Sequence, residues 1–139
     1  MNALKTLVAA LAVVVAFGGM GASRTLAASE KFAVTSITNR TNLTIHYEFK
    51  WGNAEWRQAS LQPGHTMHHS WAYEFRGQNR SPAKMVRFDS DLRTGKILTV
   101  TQEVKSNACF NKSEGGKQYV IEFEDGDRDY IVLRELYLD

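Results

Sequence analysis

From Leu43 to Trp51 the chain alternates without a break. Leu43, Ile45, Tyr47, Phe49 and Trp51 fall on one side, and Thr44, His46, Glu48 and Lys50 on the other. A period of two sends successive side chains to opposite faces of an extended chain. Such a segment is stable as a strand with one face in an apolar core and one in water, which is the habit of antiparallel sheets.

Other segments read the same way. Strands are expected over Phe32 to Thr38, Trp56 to Leu61, Thr66 to Tyr73, Lys84 to Phe88, Lys96 to Val104, Gln118 to Phe123 and Tyr130 to Leu136. Asn39 to Asn42 and Trp51 to Ala54 read as hairpin turns, and Gln62-Pro63-Gly64 as a further turn. Asp125-Gly126 between two strand patterns is a strong hairpin signal. Arg76 to Pro82 and Ser106 to Lys117 read as polar loops. The expectation is an all-β chain: a small antiparallel β-sandwich of about eight short strands, favoured over a closed barrel.

The N-terminus follows different rules. Lys5 precedes an apolar run from Leu7 to Phe17, and glycines and small residues follow, ending at Ala27 and Ala28. That order is the logic of a secretory signal, and the run falls short of the roughly 20 residues that span a bilayer. Residues 1–27 are therefore expected to be a signal peptide, with cleavage after Ala28 nearly as suitable. Residues 28–139 are expected to form one domain, secreted or periplasmic, with no stable membrane insertion after cleavage.

Charge excludes one class of partner. Two of the 17 basic residues, Lys5 and Arg24, sit in the leader, which leaves 15 against 15 acidic residues. A balanced domain lacks the basic footprint of a nucleic-acid binder. The single cysteine, Cys109, allows no internal disulfide, and in an oxidising compartment it is a candidate for linking two chains.

Three groups of residues are candidates for chemistry. Trp51, Trp56, Trp71 and Tyr73 would make a stacking platform for a carbohydrate or peptide, with Trp51 and Trp56 meeting across their turn. Core packing is the plainer role, since Trp51 lies on the apolar register. No cofactor is the first expectation; His46, His65, His68 and His69 would make a site for a transition metal, the alternative, against the plainer role of ordinary surface and core histidines. On a strand His68 and His69 point to opposite faces, so His46 with His68 is the best pairing. Glu122 and Glu124 would share a strand face about 7 Å apart, a spacing open to acid–base hydrolysis.

Asp125, Asp127 and Asp129 fail the EF-hand pattern, because Tyr130 and Leu136 stand where its glycine and glutamate belong. No Walker loop, dinucleotide fingerprint, nucleophile elbow or HExxH motif occurs. Three sequons, at Asn39, Asn42 and Asn111, fall in expected turns or loops. The expected function is an exported, non-enzymatic binding or interaction module for a protein or carbohydrate. A small histidine-based metal binder is the first alternative, and a carboxylate-dependent hydrolase the second.

Overall fold

The alternating segment is the second of nine strands in a computed structural model that describes residues 31–137. The strands are β1 (Phe32–Asn39), β2 (Ile45–Trp51), β3 (Arg57–Leu61), β4 (Thr66–Ala72), β5 (Lys84–Asp89), β6 (Thr99–Val104), β7 (Asn107–Cys109), β8 (Lys117–Glu124) and β9 (Asp127–Glu135). They form two sheets, neither closed into a barrel. One has the order β4-β1-β8-β9 with β7 also on β1, and the other has the order β3-β2-β5-β6. The sheets meet through Ile37, Tyr119, Ile121, Ile131 and Leu133 on one side and Ile45, Tyr47, Leu61, Val86, Phe88 and Val104 on the other. The all-β sandwich expected from alternation is the fold. The proposed leader and its cleavage point lie outside the described residues.

Three features depart from expectation. The loop after Ser106 contains a short strand, β7, where only polar chain was expected. One strand pair is parallel: β8 runs beside Thr35 to Asn39 of β1, while β7 covers Phe32 to Val34 of the same edge in antiparallel fashion. Gly116 stands at that handover, with φ +87°, and a Cβ there would fall 2.7 Å from the Val34 carbonyl oxygen. Gly116→Ala is expected to cost about 2–4 kcal/mol, from left-handed backbone plus backbone overlap. Gly95→Ala, at φ +76° with open space around it, should cost only about 1 kcal/mol. Urea midpoints compare the two, and equal losses would remove the steric account.

The third departure is at Asn39 to Asn42. No hairpin forms there, because β1 and β2 belong to different sheets and the chain crosses between them. Asn39 holds the crossing. Its Nδ2 donates to the carbonyls of Leu43 at 2.7 Å and Leu61 at 2.8 Å, and its Oδ1 accepts from the Thr41 amide and hydroxyl. Its backbone adds bonds to His65 and Gly64. Asn39 is fully buried, so its sequon is closed in the folded protein, whereas Asn42 and Asn111 are exposed.

The segment Tyr73–Gln78 follows β4 and is closed by local bonds. Within it, the Gln78 amide donates to the Phe75 carbonyl and the Glu74 amide donates to the Gln78 side chain, closing a small turn.

Candidate functional site

Alternation that buries Ile45, Tyr47 and Trp51 turns His46, Glu48 and Lys50 outward. The neighbouring strands do the same, so the outer face of β3-β2-β5-β6 is a grid of polar side chains. Cross-strand register aligns Ser60 with His46 and Asp89 with Thr99. In the next row it aligns Gln58, Glu48, Arg87 and Thr101. These residues line a depression of about 700 Å³.

The grid is preorganised. Arg87 Nε donates to Glu48 Oε1 at 2.6 Å, with both side chains about one-third exposed. The Arg87 guanidinium also lies 4.0 Å from the ring centroid of Trp56, and Lys50 Nζ lies 5.0 Å from it. Cation–π contact and the ion pair together fix the arginine and the indole. His46 Nδ1 sits 2.7 Å from the Ser60 hydroxyl. Asp89 Oδ1 accepts from the amides of Leu98 and Asp91, so this carboxylate shapes the turn after β5.

A second cluster lies inside the sandwich. His69 of β4 is buried, with Nε2 at 2.7 Å from the Tyr47 hydroxyl and its ring 4.0 Å from that of Phe49. The Tyr47 hydroxyl also donates to Met67 Sδ at 3.6 Å. Both contacts are met together when His69 Nε2–H donates to the phenol oxygen. Burial first, then the nearby Lys84 charge, hold the imidazole down at about 3, so it is neutral. Burial also pushes the Tyr47 phenol well above its usual value.

Lys84 opens β5 on the inward register with Val86 and Phe88. It is 1% exposed, and its Nζ has no hydrogen-bond partner. It lies 4.9 Å from the Phe49 ring centroid and 4.7 Å from that of Trp51. Burial lowers the amine to about 6.

The fold distributes the sequence candidates widely. Trp51 is buried against Lys84, while Trp56 lies on the outer face, so the two do not meet across their turn. Trp71 is half-buried on β4 and Tyr73 is buried. Of the proposed aromatic platform, only Trp56 stands on the polar grid. His46 faces outward from one sheet and His68, beside inward His69, faces outward from the other, so the sandwich separates the favoured histidine pair. His65 is exposed in the crossing between β3 and β4. Among the described residues no group of three His, Cys, Asp or Glu side chains is placed to hold a metal ion.

Glu122 is paired with Arg134 at 3.2 Å, and the same arginine reaches Asp125. Cys109 is a half-buried free thiol at the end of β7, and Phe110 beside it is 80% exposed rather than packed.

Arg87, Gln58, Ser60, Thr99 and Thr101 were not singled out by sequence, although the wet face of β2 was visible in the alternation. Lys84 was also missed, and its signal was present: Lys84, Val86 and Phe88 share one register. No model of a known protein family matches this chain, and no curated protein or solved structure does either.

Proposed function

We propose that this protein is an exported, non-enzymatic binding module that takes its ligand on the outer face of β3-β2-β5-β6. The observation that carries this reading is the fixed polar grid, in which Arg87 is held by Glu48 and stacked on Trp56 over a depression of about 700 Å³. A concave site with a few prearranged polar groups is the usual form of a ligand site. Groups already locked in place lose little freedom on binding. The non-enzymatic part rests on how the acids are employed: Glu48 and Glu122 are neutralised by arginines, and Asp89 caps a turn. The exported part rests on the leader-like N-terminus, and N-terminal sequencing of protein from the extracytoplasmic fraction should begin at Ala28 or Ser29.

The binding test is a 1H–15N titration of residues 28–139 with neutral trisaccharides, uronate trimers, short peptides, inorganic phosphate and Zn2+. Saturable shifts are expected at residues 46–48, 58–60, 87–89 and 99–101. They should be lost in the double variant Glu48→Ala/Arg87→Ala, which removes a pair about one-third exposed and leaves the core intact. Saturable shifts centred on another face would overturn the assignment of the site. Cleaved products in the mixture would overturn the non-enzymatic reading.

A further inference from the structure

We infer that the ligand of this face is a neutral oligosaccharide, seated with a vicinal diol across Glu48 and Arg87. The inference rests on the binding reading above and names its ligand class. Charge comes first. The one cation lining the depression, Arg87, is already matched by Glu48 at 2.6 Å. Asp89 is engaged by two backbone amides. Neither a phosphate nor a carboxylate finds an unmatched cation there, and a metal ion finds no cluster of ligands.

Hydrogen-bonding capacity comes second. Ser60, Thr99, Thr101 and Gln58 each both donate and accept, and the Glu48–Arg87 pair offers an acceptor beside a donor. A sugar diol presents the complementary pattern, because each hydroxyl donates once and accepts as well.

A peptide fits less well. The Glu48–Arg87 pair stands on β2 and β5, interior strands whose backbones are occupied by neighbours on both sides; the sheet's edges are β3 and β6, at the margins of the depression. No exposed large apolar side chain lines the depression; those on this part of the chain are Leu43, Ile97 and Leu98.

Shape comes third. The row Gln58, Glu48, Arg87, Thr101 crosses four strands, or about 14 Å at ordinary strand spacing. That length suits about three pyranose rings laid across the strands.

The deciding experiment titrates residues 28–139 with neutral trisaccharides of glucose, mannose, galactose, xylose and N-acetylglucosamine. A galacturonate trimer and inorganic phosphate run alongside, at low and at high salt. The expected result is saturable binding of at least one neutral trisaccharide, with shifts on the residues named above. It should change less than twofold between low and high salt. Glu48→Gln should weaken it at least tenfold, with the remaining spectrum unchanged. Silence from every neutral trisaccharide would overturn the ligand class. So would shifts on this face from the uronate or phosphate alone that vanish in high salt, while leaving the face as the binding site. Shifts centred elsewhere on the molecule would instead overturn the binding reading beneath both.

Discussion

Lys84→Met stabilises the protein by several kcal/mol near pH 6, and the gain shrinks steadily as the pH rises toward the ordinary range of a lysine. The cause is the buried amine, 1% exposed and without a hydrogen-bond partner. Burial moves it from 10.5 in the open chain to about 6 in the fold. Above the unfolded value the amine is neutral in both states and carries no penalty. Between the two values the unfolded chain binds a proton that the fold refuses, so stability falls as pH falls, by about 1.4 kcal/mol per unit. Below the folded value the whole penalty, on the order of 6 kcal/mol, is present. Attraction from the Phe49 and Trp51 rings offsets only about 2 kcal/mol for the charged form, so desolvation wins. Methionine keeps the unbranched shape without the amine.

The measurement is the urea unfolding free energy of both proteins across this pH range, read as a difference so that other groups cancel. A gain independent of pH would mean that Lys84 is charged and satisfied in the fold. His69 opens a second window. Its folded value of about 3 lies below its ordinary one, so stability conferred by the neutral ring is lost as pH falls from about 6.5 toward 3. Removing the Lys84 charge should raise the lower end of that window and so narrow it.

Asn39→Ala is the most damaging single change expected among the polar residues, with a loss of about 4 kcal/mol. The side chain is fully buried and makes four bonds of 2.7–2.9 Å. Truncation leaves the Leu61 carbonyl without this donor and the Thr41 amide without its acceptor, while the Leu43 carbonyl keeps the Thr41 hydroxyl at 3.1 Å. Each buried group so orphaned costs about 1–3 kcal/mol, beyond the roughly 1 kcal/mol of a bond simply exchanged for water. The damage falls where the chain leaves one sheet for the other, so neighbouring contacts cannot slide to compensate. Asn39→Asp keeps the two acceptor bonds but sets a buried carboxylate oxygen against both carbonyls, so near neutral pH it should be at least as damaging as alanine. Asn42→Ala, at an exposed neighbour, should change stability by less than about 0.5 kcal/mol. Equal midpoints for the two alanine variants in urea would show that the crossing is held by backbone bonds alone.

Alternation marked the strands because its cause is local. A side chain's face is set by its position along its own strand, whatever that strand pairs with. That is why β2, β5 and the β8–β9 hairpin at Asp125-Gly126 were legible, together with the outward turn of His46 and Glu48. The inward turn of Lys84 was equally legible, but a lysine on an apolar register is conspicuous only once the register is trusted over the residue's usual preference for water.

Pairing was a different matter. Asn39 to Asn42 has the composition of a hairpin turn, yet it bridges two sheets. Turn residues state that the chain bends and say nothing about which strand lies beyond the bend. The metal candidates suffered likewise: His46 and His68 are both outward residues, and only the assignment of β2 and β4 to different sheets separates them.

By itself, then, the sequence determined the all-β character, most strand positions and which residues of β2 face water; it did not foresee that Leu43, on the apolar register just before β2, is exposed. Strand order, the parallel contact of β1 with β8, and the meeting of Glu48, Arg87 and Trp56 were decided by tertiary structure. Those contacts join residues distant in sequence. They depend on how whole apolar faces find each other, a choice no local pattern encodes.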